Sequence, residues 1–319
     1  MTSSQVGSLQ LFRLRKPCTA ALMLLAAFWL AVGSVPALAR EAEPVPIARR
    51  ATAAARPGAR VLTAGELPAP HLWLARPFGP QRQLTPAYTF PYGSTGGGRY
   101  ALHTGIDISN PMSTPVLAMA DGEVVYAGSD QLRTFGPKLS FYGNLVLVRL
   151  ARTLSEMPVY ILYGHLNQVQ VTVGRQLKTG DVIGTVGMTG IAIGPHLHVE
   201  VRASAQDRWH TRNPEFWLKP LPGSGVVAGR VLALDGRPIA GASVHLYRGD
   251  ALWRIGTTYP DEETINPDPE WRENFVLSDL PAGAARLVVR DGMRNLSLPI
   301  QVQAGGLTFV EFRLGSTAE

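Results

Sequence analysis

Cysteine is almost absent: the 319-residue chain contains one, Cys18, ahead of an apolar run near the N-terminus. If that segment is removed on export, no thiol remains for a disulfide, for nucleophilic catalysis or for a Cys-ligated zinc. Any metal must then be held by His, Asp or Glu. Lysine is nearly as scarce, with three after residue 39, and no Lys/Arg cluster is interleaved with aromatics, so a nucleic-acid partner is not expected. Charged residues amount to only 17%. Glycine and proline together contribute 58 residues without a Gly-X-Y period, which excludes a collagen and a mainly helical bundle. The 45% of hydrophobic residues suffices for a core, and the length suits about two domains of short strands joined by tight turns.

The N-terminus has a basic start (Arg13, Arg15, Lys16), 23 uncharged residues from 17 to 39, and the ending Pro36-Ala37-Leu38-Ala39. This is the pattern of a secretory signal cleaved after Ala39. An uncleaved anchor is the alternative, since such a run is long enough to span a bilayer, although Gly33, Ser34 and Pro36 interrupt it. Both readings export the remainder to the cell exterior, wall or periplasm. Without residues 1–39 the net charge falls from +6 to +3, divided as +6 over residues 40–222 and −3 beyond. The basic half suits an anionic polymer such as a cell wall.

Residues 40–70, rich in Ala, Pro and Arg, read as an extended tether. A first strand-rich domain is expected over 71–220, with strands near 115–120, 123–127, 144–150, 158–163, 169–173, 181–186 and 197–201. A linker at 221–225 leads to a second strand-rich module at 226–319, with strands near 226–234, 242–247, 251–256, 274–277, 285–289, 297–302 and 307–314. Asp235-Gly236 reads as the hairpin turn between the first two of these.

Four of the seven histidines fall in three compact motifs. In HTGID (103–107), His103 and Asp107 share a face if the chain is extended; in HLHVE (196–200), His196, His198 and Glu200 do so too. His165 closes the strand that ends YGHL (163–166). Brought together, such groups provide three N/O ligands and an open position, the make-up of a catalytic zinc site. Each motif alone also fits ordinary strand residues. Glu200 reads equally as a carboxylate orienting one of the histidines or as a strand-edge salt bridge. His71, His210 and His245 lack such neighbours and read as structural.

These motifs, in this order and with TPVLAMADGEVVYAG (114–128) and TGIAIGPHLHVE (189–200), resemble the lysostaphin/LytM-type zinc endopeptidases that cut peptidoglycan peptides. The likeness runs from about residue 78 to 218. It implies that His103, Asp107 and His198 bind one zinc ion and that His196 and His165 form the catalytic pair. It also implies a duplicated hybrid motif antiparallel β domain, and the second strand-rich region has the length of a small β-sandwich, so the fold class expected is all-β. Three departures, Ser113 for a common Gly, Val199 for Phe and Arg149-Leu150 at a strand end that often finishes in His, remove no ligand. The glycine-punctuated stretch 171–184 also looks like half of a lipoyl or biotinyl carrier, but the corresponding turn at 118–122 has no lysine to modify.

Residues 90–100, with three consecutive glycines, are expected to wall the groove, with Tyr92 or Tyr100 offering a phenol to the transition state. The second module resembles carboxypeptidase-regulatory or transthyretin-like sandwiches through DGRPIAGASVHL (235–246) and LPAG (280–283). Its acidic run 261–273 carries six Asp/Glu without EF-hand spacing and reads as a solvated loop. The expectation is thus an exported monomeric zinc endopeptidase acting on peptidoglycan peptides, with a possible cell-wall polymer contact through the C-terminal domain. The rival is a non-catalytic wall-binding or amidase-activating protein of the same fold.

Overall fold

The computed structural model describes residues 56–205 and 208–315; the signal segment, Cys18 and residues 40–55 of the expected tether lie outside the described residues. The regular structure of the described residues is almost entirely strand, with two single turns of 3-10 helix at Ala64–Glu66 and Pro214–Phe216. After β1 (Gly58–Val61) come β2 (Ile106–Ser109), β3 (Pro115–Leu117), β4 (Gly122–Ser129), β5 (Asn144–Leu154), β6 (Met157–Leu166), β7 (Gln168–Val169), β8 (Gln176–Leu177), β9 (Val182–Thr185), β10 (His196–Arg202) and β11 (Thr211–Arg212). The second module supplies β12 (Ser224–Ala233), β13 (Ser243–Arg248), β14 (Ala251–Thr257), β15 (Ile265–Asn266), β16 (Phe275–Pro281), β17 (Gly283–Asp291), β18 (Arg294–Val302) and β19 (Leu307–Leu314).

The main sheet runs β15-β11-β10-β6-β5-β4-β8, with β2 also paired to β10, and a small sheet β3-β9-β7 lies beside it. β5 and β6 form a hairpin whose two turn residues, Ser155 and Glu156, both take positive φ (46° and 68°), as a two-residue hairpin loop requires. β10 is buried along its whole length. Alternation sends Leu197, Val199 and Val201 into an apolar core with Ile106, Ile161 and Tyr163, and turns His196, His198, Glu200 and Arg202 to the other face.

The second module packs sheet β1-β19-β12-β16 against sheet β14-β13-β17-β18 around Val231, Leu246, Phe275, Leu287 and Phe312. Here the chain departs from several expectations. Gly58–Val61, inside the expected tether, is a strand paired antiparallel with β19. A four-residue stretch has no period to betray it; the open edge of β19 supplies its hydrogen bonds. The Asp235-Gly236 turn forms, with Gly236 at φ 88° and Arg237 N–H on Asp235, and folds Pro238 back antiparallel on Leu232, but it does not pair β12 with β13, which lie in different sheets.

Nor is the acidic run 261–273 a solvated loop: Thr264, Ile265, Asp268, Trp271 and Glu273 are buried. Trp271 packs edge-on against Phe216 at 5.5 Å and tilts over Phe309 at 5.1 Å, so one apolar core continues from the first domain into the second module. Arg76 clasps Asp279 (3.0 and 2.5 Å), and Ser278 gives its N–H and hydroxyl to Glu215 (3.1 and 2.6 Å) across the same junction.

Glu273 in that junction accepts from Tyr259 Oη (3.1 Å) and the Asp268 N–H (2.9 Å), and burial together with the Asp268 charge pushes its carboxyl up to about 8. Between the unfolded carboxyl's ordinary range and pH 8 the native state therefore holds the extra proton, and stability falls as pH rises through that window. Melting temperature is expected to drop from pH 5 to 8, by an amount on the order of a few kcal/mol in stability. Glu273→Gln should flatten that profile; an unchanged slope would assign it to another group.

Candidate active site

The register of β10 builds the site. His198 lies opposite Asp107 of β2 on one side and opposite Gly164 of β6 on the other. Asp107 Oδ1 stands 2.9 Å from His198 Nδ1 and 3.1 Å from His103 Nε2, and the two nitrogens are 3.3 Å apart. His103 reaches Asp107 from a loop, since the strand begins only at Ile106 and not at His103 as extended spacing implied.

Each of four imidazoles has one ring nitrogen set against an acceptor. His103 Nδ1 meets Phe90 O (2.7 Å), His165 Nδ1 meets Thr189 O (2.8 Å) and His196 Nδ1 meets Gly194 O (2.9 Å). Carbonyl oxygens only accept, so these Nδ1 atoms carry the hydrogen and each Nε2 is left as a lone pair. His198 is reversed: its Nε2 meets Glu200 Oε1 (3.1 Å), which leaves Nδ1 facing Asp107 and His103.

The donor set fits a zinc ion. Tetrahedral bonds of about 2.0–2.1 Å place ligand atoms about 3.3 Å apart, close to the three separations observed. Electrostatics agree. Burial pulls the His198 imidazole down, yet the bonds and charges of Asp107 and Glu200 outweigh it and hold the ring up at about 9. Asp107 is held below the usual carboxylate range against its burial, through His103 and His198. The field at this point thus favours a cation.

The second pair of histidines lies alongside, with the His165 and His196 rings 4.9 Å apart. Burial and the neighbouring His198 and His196 bring the His165 ring down to about 3, so it is neutral at physiological pH. His165 also takes φ 60°, a costly backbone for a residue with a side chain. It is held there by its N–H on Tyr142 O (2.8 Å) and by the crossing of segments 141–144 and 189–191, where a Cβ on Gly143 would lie 2.4 Å from Thr189.

Behind β10 sits a polar network of which the sequence offered only Glu200, as a carboxylate orienting a histidine or as a strand-edge salt bridge; it contacts His198 and pairs with Arg202, but in the interior rather than at an edge. Glu200, fully buried, accepts from Thr104 Oγ1 (2.5 Å) and Tyr142 Oη (2.6 Å) besides His198, and its other oxygen takes Arg202 Nε (2.5 Å). Arg202 extends the alternation of His196, His198 and Glu200, a signal present in the motif. Tyr142, brought in from β5's approach, left none.

The groove over these residues has a volume of about 440 Å³; Phe90, Tyr100 and Leu102 form one wall and Phe141, Ile191 and Ile193 the other. Tyr100 is on that wall, but Tyr92 is not. Its phenol is buried against Thr211 Oγ1 (3.0 Å) and the Asn266 N–H (3.0 Å), facing the second module, so it is not placed to meet a transition state in the groove. Of the departures, Ser113 takes φ 63°, a conformation glycine adopts without strain, Val199 is core, and Arg149 pairs with Glu123 on the surface (2.7 Å).

Residues 101–210 match the model of Peptidase family M23. The stretch is similar to DD-carboxypeptidase/endopeptidase Mpg of Neisseria meningitidis, 40% identical over 107 residues, covering 34% of this chain and 21% of that protein. It is also 38% identical over 104 residues to peptidoglycan DD-endopeptidase ShyC of Vibrio cholerae, covering 32% of this chain and 21% of that protein. The match thus spans about a fifth of these relatives' length. Among solved structures, the catalytic domain of the prophage-encoded M23 protein EnpA from Enterococcus faecalis is 28% identical, with 44% of this chain and 95% of that one covered and a TM-score of 0.34.

Proposed function

We propose that this chain, which carries a domain of Peptidase family M23, is an exported zinc-dependent endopeptidase hydrolysing peptide bonds in peptidoglycan stem peptides or cross-bridges. The observation that carries the reading is that one nitrogen of each of four groove-lining imidazoles is tied to a carbonyl or to Glu200, while His103 Nε2, His198 Nδ1 and His196 Nε2 stand 3.1, 2.9 and 3.6 Å from Asp107 Oδ1. His103, Asp107 and His198 would hold one zinc ion, which when bound supplies Lewis acidity and a water acidic enough to ionise near neutrality.

The chain's own residues do the rest. His165 and His196 each present a bare Nε2 at the point of attack; one of the two takes the water's proton and, as imidazolium, returns it to the departing amine. Their Nδ1 bonds to Thr189 and Gly194 keep the rings from turning, so the accepting nitrogen is in place before substrate arrives. The apolar walls exclude water and suit alanyl side chains. Arg99, the one cation among the groove-lining residues described, is available to a stem-peptide carboxylate. A wall-polymer contact through the second module is supported by the outer face of its sheet, where the Arg286 guanidinium stacks on Tyr247 at 4.6 Å and Arg290 follows along the same strand.

Mass spectrometry of fragments released from purified peptidoglycan tests this. New peptide termini are expected with zinc-loaded protein and none after chelation, with activity restored by added zinc. Zinc binding and co-sedimentation with the wall but no release of fragments would replace hydrolysis by the wall-binding or amidase-activating role.

A further inference from the structure

The segment 259–266, at the start of the acidic run, packs on the loop in front of the first ligand. Tyr92, held by Thr211 and Asn266, also lies edge-on to Tyr259 at 5.3 Å. The next residue, Gly93, has φ 82°, and a Cβ there would stand 2.8 Å from Pro260 Cδ. Gly93 gives its N–H to His103 O (2.8 Å), and His103 gives its own N–H to Ser94 O (2.9 Å). The His103 backbone is thus anchored on both sides to the two residues that follow Tyr92, while its ring stacks on Phe90 at 4.4 Å.

A second connection runs through the sheet. β15 pairs in parallel with β11, Ile265 opposite Thr211, and Thr211 Oγ1 also bonds Thr264 O. β11 in turn pairs with β10, which carries His196 and His198. One short segment of the second module therefore reaches the site by two routes, through the loop that positions His103 and through the strand that positions the other ligand.

We propose that residues 259–266 of the second module are a positioning element of the active site, fixing the wall at 90–100 and the His103 ligand so that metal affinity and peptide fit both depend on the module being docked. Tyr92 and Gly93 are the positioning residues through which it acts. The inference rests on the proposed zinc site for its affinity arm and on the peptidase reading for its kinetic arm.

The test uses the whole chain in three variants. Tyr92→Phe removes the hydroxyl that meets Thr211 and Asn266. Gly93→Ala adds the methyl that meets Pro260, and Gly93→Ala with Pro260→Ala takes that collision away again. Leu287→Val, in the sandwich core away from this contact, serves as a control that lowers the melting temperature. Zinc affinity by chelator competition, amide exchange over residues 90–104, and KM and kcat on peptidoglycan peptides are measured for each.

Tyr92→Phe and Gly93→Ala are expected to weaken zinc binding roughly 10-fold, to speed exchange at the Gly93 and His103 amides, and to raise KM more than they lower kcat. Adding Pro260→Ala should recover part of the Gly93→Ala loss, and Leu287→Val should move none of the three readouts. If the Tyr92 and Gly93 variants lose melting temperature as the control does yet keep zinc affinity, exchange and KM, the segment only cements the modules together and the proposal falls. Should the unaltered protein release no peptide, hydrolysis fails by itself, and zinc affinity with amide exchange still decides the positioning role.

Discussion

Alanine at His196 is expected to leave zinc bound and to reduce peptide release by about 10²–10⁴-fold, the usual contribution of a positioned acid–base group. That is about 3–5 kcal/mol of transition-state stabilisation. The ring is not one of the three grouped ligands, although its Nε2 stands 3.6 Å from Asp107 Oδ1, so its removal leaves the His103, Asp107 and His198 donor atoms in place. His165 is the other half of the pair, and His165→Asn is the better variant there, because Asn tolerates the left-handed backbone at φ 60° where most residues would add strain. A comparable loss is expected. The double variant should fall little further than the worse single, since groups that handle the same proton act as a unit. Initial rates of fragment release, with zinc content measured on the same samples, check this. Activity within threefold of the parent in His196→Ala would remove the pair from catalysis.

What could be read from the sequence was what alternation and motif order carry. The strands of both modules fall close to the expected positions, and the all-β class follows from short apolar runs between glycines. The five candidate residues His103, Asp107, His165, His196 and His198 gather around one groove, because β10 pairs with β2 and β6 in the register that sets His198 opposite Asp107. What escaped was whatever depends on long-range packing. Gly58–Val61 is a strand only because β19 has a free edge. Tyr92 looked like a groove phenol by its place in the loop, but the side of the loop it faces is set by Tyr259 and Asn266, more than 150 residues on. The run 261–273 is acidic in composition, yet irregularly spaced buried positions put Ile265 against Tyr92 and Tyr259 and Trp271 in the main core while Asp261, Glu262 and Glu263 stay in solvent. Composition averages over those positions and hides the ones that dock.

Glu200→Gln is the substitution expected to damage both the fold and the metal site. The carboxylate stands among donors on every side: Thr104, Tyr142 and His198 on one oxygen and Arg202 on the other. An amide has one oxygen, so its NH2 must face either the Arg202 guanidinium or the three donors opposite, and one group of contacts becomes donor against donor. Arg202 is itself fully buried, and removing its counter-charge leaves an uncompensated cation at a cost of about 3–5 kcal/mol. The Arg202 cation draws the amide oxygen to itself, so the NH2 faces His198 Nε2 and takes away the acceptor that fixes its tautomer, which should weaken zinc binding about 10- to 100-fold. The two effects separate in the pair Glu200→Leu with Arg202→Met, which leaves neither a buried ion nor an acceptor for His198 Nε2. Removing both charges should restore much of the melting temperature, because no buried ion is left alone. Zinc affinity should stay low, because nothing then orients His198. If affinity recovers together with stability, the register opposite Asp107 suffices to hold the ligand and Glu200 serves only to neutralise Arg202.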